Sequence, residues 1–128
     1  MKLETVMVVD DSEPDQFLAK LTLNKFDPSI NVIQAYDGLE ALKYLGKLDS
    51  PPEVIFLDIN MPRMDGHEFL KEYAKAGFES TVVVMLTSSD QERDREQTEF
   101  YDYVLDHFPK PLSREQLEQL EHLVQSRS

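Results

Sequence analysis

The sequence predicts an open, doubly wound α/β fold, a five-stranded parallel sheet with helices on both faces. Two observations carry that expectation. Short β-branched runs, apolar at successive positions as strands buried on both faces must be, alternate with longer stretches whose apolar residues recur at helical spacing. Crossovers between parallel strands are right-handed, so the intervening helices are shared between the two faces. The 128 residues are the size of one domain.

The elements follow in order along the chain. Residues 6–9 (VMVV) read as the first strand, and Phe17, Leu18 and Leu21 as the apolar stripe of the first helix, with Phe17 in the core. Residues 32–35 (VIQA) form the second strand, followed by a helix built on Ala41, Leu42 and Leu45. A turn-rich loop, GKLDSPP at 46–52, leads into the third strand at 54–57 (VIFL) and then a helix on Phe69, Leu70, Tyr73 and Ala74. The fourth strand is VVVML at 82–86, with Met85 in the core. Residues 90–99 (DQERDREQTE) hold no strong apolar side chain, so a helix there must rest on Phe100, Tyr101, Val104 and Leu105. A fifth strand is expected near 107–109, and a last helix over 114–125 on Leu117, Leu120 and Val124. Its start is marked by Ser113 and Gln116, an S-x-x-Q box in which each side chain can satisfy the other's free amide.

Composition narrows the function. Thirteen Lys and Arg against 25 Asp and Glu give a net charge of -12, which repels phosphate backbones and anionic lipid. Direct nucleic-acid or membrane binding is disfavoured. No Cys is present, which excludes disulfides, thiolate metal sites and thiol catalysis. The first residues, MKLETVMVVDDSEPD, offer only a short apolar run before two aspartates, so neither a signal peptide nor a membrane span is expected. The expected setting is cytoplasmic.

In doubly wound sheets ligands bind beyond the carboxyl ends of the strands. Asp10 and Asp11 follow the first strand directly. They repel one another, which a hard divalent cation would relieve, although acids also favour a solvated helix N-terminus. Asp58 ends the third strand after four apolar residues and could serve as a third metal ligand or as a nucleophile, since carboxylates form acyl phosphates. Thr87 ends the fourth strand, and Ser89 beyond it reads as a helix cap. Lys110, between Pro109 and Pro111, is either a fixed partner for these acids or a phosphate, or an ordinary surface lysine.

Singly these signals are weak, but the ordered set at the ends of strands one, three, four and five is specific. Through VVDDSE, FLDINMPRMDG, VVMLTSS and FPKPLS, in that order and spacing, the sequence resembles the receiver domain of bacterial response regulators over essentially its whole length. The resemblance implies a flavodoxin-like strand order 2-1-3-4-5 and a stand-alone receiver over residues 1–128 with no output domain. It implies that Asp58 is the phosphoacceptor, taking a phosphoryl group from a histidine kinase, a His-containing phosphotransfer domain or a small phosphodonor. Asp10, Asp11, Asp58 and the backbone carbonyl of Asn60 would hold Mg2+, an ion that wants octahedral oxygen ligation. Thr87 and Lys110 would meet the transferred phosphoryl group, and the Lys110–Pro111 peptide is a candidate for the cis form.

The output implied is a protein contact made by the surface around residues 90–101, 107–109 and 114–124, switched by a shift between two conformations. Whether phosphorylation also drives homodimerisation stays open. The chain further resembles single-domain receivers that pair with phytochrome-type or other hybrid kinases. It departs from the family pattern at His107, where an aromatic switch residue usually stands three positions before the lysine. A neutral imidazole could fill that pocket, or His107 could be an edge residue with no switching part. His67 and His122 lack metal spacing and read as surface or boundary residues.

Two other classes compete. A Mg2+-dependent phosphohydrolase of the haloacid-dehalogenase type would use Asp58 as nucleophile but needs an Asp two residues later, where Asn60 stands. A receiver-shaped adaptor that is never phosphorylated would have no need of all five site residues. No nucleotide-binding glycine motif occurs.

Overall fold

The computed structural model describes residues 3–58, 66–76, 81–87 and 104–127. Within them the chain runs β1 (Thr5–Val9), α1 (Glu13–Phe26), β2 (Asn31–Ala35), α2 (Gly38–Leu45), β3 (Val54–Asp58), α3 (Gly66–Ala76), β4 (Val82–Thr87), β5 (Val104–Pro109) and α4 (Arg114–Arg127). The five strands form one parallel sheet in the order β2-β1-β3-β4-β5, as the resemblance implies. The helix expected over 90–101 lies outside the described residues.

Alternation along each strand divides the core in two. Val6 and Val8, Val54 and Phe56, and Val84 and Leu86 face α1 and α4, where they meet Ala19, Leu23, Leu117 and Leu120. Met7 and Val9, Ile55 and Leu57, and Val83 and Met85 face α2 and α3, against Ala41, Leu45, Phe69 and Tyr73. Both faces of the three central strands are therefore buried, which is why their sequences run apolar without a polar break. By the same alternation Asp10 and Asp58 continue the rows of Val8 and Phe56 and fall on the α1/α4 side. The register aligns the ends, with Val9 opposite Leu57, Asp58 opposite Leu86 and Thr87 opposite Pro109.

The helix starts follow their capping chemistry. Ser113 Oγ accepts from Gln116 N at 3.3 Å while Gln116 Oε1 accepts from Ser113 N at 3.0 Å, the reciprocal box that the sequence predicts. Ser12 caps α1, its Oγ accepting from Asp15 N, and Pro14 sits in the first turn where its missing amide costs nothing.

Two sequence expectations require correction. The first concerns α1, which turns Gln16, Ala19 and Leu23 to the sheet, leaving Phe17 66%, Leu18 43% and Leu21 39% exposed. Small Ala19 lets the helix approach, and the Gln16 amide is wanted inside by backbone carbonyls. A search for large apolar residues therefore selects the wrong face. Met85, by contrast, is fully buried as expected. The second correction concerns Val104 and Leu105, expected to support a helix. They belong to β5, which pairs with β4 from Val83–Val104 onward with a register shift before Asp106, a β-bulge that hides the strand's period from a sequence reading. Pro109 ends this strand at the sheet edge, where its lost donor is tolerated.

The corrected face of α1 makes a direct prediction. Leu23→Ala will cost about 2–5 kcal/mol in urea unfolding, whereas Phe17→Ala will change stability by no more than about 0.5 kcal/mol. Comparable losses at the two positions would contradict this orientation of the helix.

Candidate functional site

Beyond the carboxyl ends of β1 and β3, the chain turns at Asp10 and Asp11 and lets both carboxylates lean over the sheet edge. One carboxylate oxygen from each of Asp10, Asp11 and Asp58 lies within 4.8 Å of the others. Asp10 and Asp58 are buried and Asp11 is exposed. The sequence-predicted acids are thus brought together.

Opposite them, Lys110 places Nζ 2.9 Å from Asp10 Oδ2, 3.0 Å from Asp15 Oδ2 and 3.5 Å from Asp58 Oδ2. It is a charge partner of the acids, as proposed for it from sequence, and its peptide to Pro111 is cis. Burial pulls the Lys110 pKa down, but the close carboxylates of Asp10 and Asp15 and the charge of Asp58 outweigh it, so the ammonium is held well above its ordinary value. Asp10 is shifted the other way from a normal ion-paired acid. Its burial raises the pKa, and neither the Ser12 amide at Oδ1 nor Lys110 fully offsets that cost.

Thr87 is the last residue of β4, opposite Pro109. His107 is partly buried on β5 opposite Met85, and its amide donates to Asp106 Oδ1 at 2.7 Å. Asn60 and Ser89 lie outside the described residues. His122 is exposed on α4.

Two contributors escape a sequence reading. Asp15 supplies a further carboxylate to Lys110, although in sequence it reads as one more acid at a helix start; its one signal is its place three residues after the capping Ser12. Gln16, 1% exposed, points its amide into the backbone, with Nε2 2.8 Å from the carbonyl of Ala35 and 3.0 Å from those of Val8 and Asp10. That fixes the peptide that carries Asp10.

The donor set fits Mg2+. It consists of hard carboxylate oxygens, and Asp10 Oδ2 is buried with an ion-pair contact but no aligned hydrogen bond, so it retains lone-pair capacity for a cation. Formal charge favours a cation: the three acids (−3) and Asp15 (−1) are met by Lys110 (+1) alone, and Mg2+ (+2) would bring the sum to −1.

Comparison with known proteins agrees with this geometry. The response regulator receiver domain model matches residues 6–121. The chain belongs to that family. It is 36% identical over 115 residues to protein PilG of Pseudomonas aeruginosa, covering 88% of this chain and 80% of PilG. Other relatives are far longer, and the chain spans only 11% of the sensor histidine kinase CheAY of Helicobacter pylori. A two-component response regulator from Cytophaga hutchinsonii superposes with a TM-score of 0.85 at 25% identity, covering 98% of this chain and 99% of the other. The phosphorylated cyanobacterial phytochrome response regulator RcpA gives 0.74 at 29% identity, over 93% and 89% of the two chains. Receiver domains of this kind are signalling modules in two-component systems. Among the described residues no helix is long and apolar enough to cross a membrane.

The raised pKa of Asp10 sets a stability prediction. A carboxyl whose folded-state pKa lies above its unfolded value favours the fold fully at low pH, and that contribution is lost as pH rises through the folded value. At neutral pH the ionised Asp10 therefore costs stability. Asp10→Asn will raise the Tm of metal-free protein by roughly 2–6 °C at pH 7, and calorimetry at falling pH will show the gap to wild type narrowing. A lower Tm in the variant at pH 7 would contradict the assignment.

Proposed function

We propose that this receiver takes a phosphoryl group on Asp58 and transmits the event by changing a protein-binding surface. The observation that carries the reading is the convergence of Asp10, Asp11 and Asp58 within 4.8 Å, with Lys110 Nζ 3.5 Å from Asp58. Asp58 is the nucleophile: a carboxylate oxygen bonds to phosphorus as the donor's P–N or P–O bond breaks, and the bonding pair leaves with the donor. Asp10, Asp11 and Asp58, with the Asn60 carbonyl that the family resemblance adds, would hold Mg2+, which when bound would neutralise charge on the transferring group. Lys110 would then face one phosphoryl oxygen, and Thr87, the last residue of the adjoining strand, would answer another.

The new group brings about −1.5 to −2 charge, on the pattern of other phosphorylated side chains. That charge draws Lys110 and Thr87 toward Asp58 and biases β4 and β5, with His107 at the position of the family's switch residue. The donor is a histidine kinase or a His-containing phosphotransfer domain, and the output is contact with a downstream protein rather than nucleic acid or membrane, in keeping with a net charge of -12. Structural similarity to a phytochrome response regulator supports a kinase of that type as donor. A cytoplasmic setting goes with this role.

Incubation with acetyl phosphate and Mg2+, followed by intact-mass measurement in the cold, will add one phosphoryl group. Chelation of the metal or Asp58→Asn will abolish the gain. Turnover of phosphate esters without a stable adduct would instead indicate a hydrolase. In a binding titration with the phosphorylated protein, Lys110→Ala will still carry the adduct but will lose most of the phosphorylation-dependent change in partner affinity; undiminished coupling would remove Lys110 from the switch.

A further inference from the structure

Among the described residues three carboxylates lie within ion-pair distance of the Lys110 ammonium, and Asp15 also accepts a hydrogen bond from it. Two of these, Asp10 and Asp58, belong to the group that can share a cation. Asp15 does not belong to it. It stands on the first turn of α1, where its own amide is tied to the Ser12 cap and Pro14 stiffens the preceding residue, so its carboxylate is presented to Lys110 from a fixed base. Its side chain is about a third exposed, against 21% for Lys110, which places the contact at the rim of the site and not in its floor. At 3.0 Å it holds the ammonium more closely than Asp58 does at 3.5 Å.

We propose that Asp15 is a positioning residue that partitions Lys110 between two duties. In the resting protein, the share of the ammonium held by Asp15 is withheld from Asp10 and Asp58, which leaves their oxygens freer for a divalent cation. After phosphoryl transfer the same contact opposes the outcome, because Lys110 must leave Asp15 to pair with a phosphoryl oxygen. Asp15 therefore strengthens cation binding and weakens the hold on the phosphoryl group, two effects of opposite sign from one carboxylate. This rests on the reading of Asp58 as phosphoacceptor and adds a residue that the family motifs in the sequence do not mark.

Glu13 provides the control, since it is exposed and carries the same charge in the same helical turn. Calorimetric titration with Mg2+, and with beryllofluoride as a phosphoryl mimic at saturating Mg2+, separates the two duties. Asp15→Asn will weaken Mg2+ binding roughly three- to tenfold and tighten beryllofluoride binding by a similar factor, while Glu13→Gln will move each by less than about twofold. The Nζ nitrogen resonance of Lys110 in metal-free protein will shift in Asp15→Asn and stay in place in Glu13→Gln. Asp15→Glu, which restores the carboxylate, will return Mg2+ affinity most of the way to wild type. If Asp15→Asn behaves as Glu13→Gln does in both titrations and in the spectrum, or if it tightens Mg2+ binding, the role of Asp15 is overturned. Wild-type protein that bound neither Mg2+ nor beryllofluoride would overturn the reading of the site itself, a result distinct from the former.

Discussion

Mutual repulsion among acids gathered at one edge of the sheet is the constraint around which the rest of the structure is arranged. Asp10 and Asp58 are buried, and Asp11 stands beside them. A facing cation offsets that repulsion, and Lys110 supplies one. The buried apolar rows behind the acids supply the rigidity. Fully buried Val8, Val9, Phe56 and Leu57 hold β1 and β3 in a register that leaves the acids no route apart. Stability spent on this edge is recovered from the two-faced core beneath it, whose side chains contribute about 1.5–3 kcal/mol each.

Much of this was legible in the chain itself, for identifiable reasons. Strands buried on both faces announce themselves as unbroken apolar runs, and an acid closing such a run, as Asp58 closes VIFL, has no structural excuse. Asp10 after VMVV was less decisive by itself, because acids also favour a helix N-terminus. The α4 start was equally plain, since the Ser113–Gln116 box is a local device that needs no tertiary information.

What stayed hidden was hidden by context. The inward face of α1 is built from Gln16, Ala19 and Leu23, of which only the last looks like a core residue, while Phe17 and Leu21 look more apolar and face outward. The Gln16 amide is buried because three carbonyls await it, and those carbonyls come from two strands that the sequence does not show side by side. Asp15 was obscured similarly, its partner Lys110 standing 95 positions along the chain. The bulge before Asp106 displaced the apolar period of β5, so Val104 and Leu105 looked like helix support.

The Gln16 amide also makes the domain mechanically lopsided. By fastening the last peptides of β1 to the end of β2 and to α1, it turns that flank into a single stiff block. Lys110, by contrast, is held only at its tip, by one hydrogen bond to Asp15 and the charges of Asp10 and Asp58, with a flexible four-carbon stem behind it. A perturbation at Asp58 therefore finds one neighbour that resists and one that yields. On the proposed function, deformation would run toward β4 and β5, the direction of an outgoing signal being set by where the molecule is unable to bend.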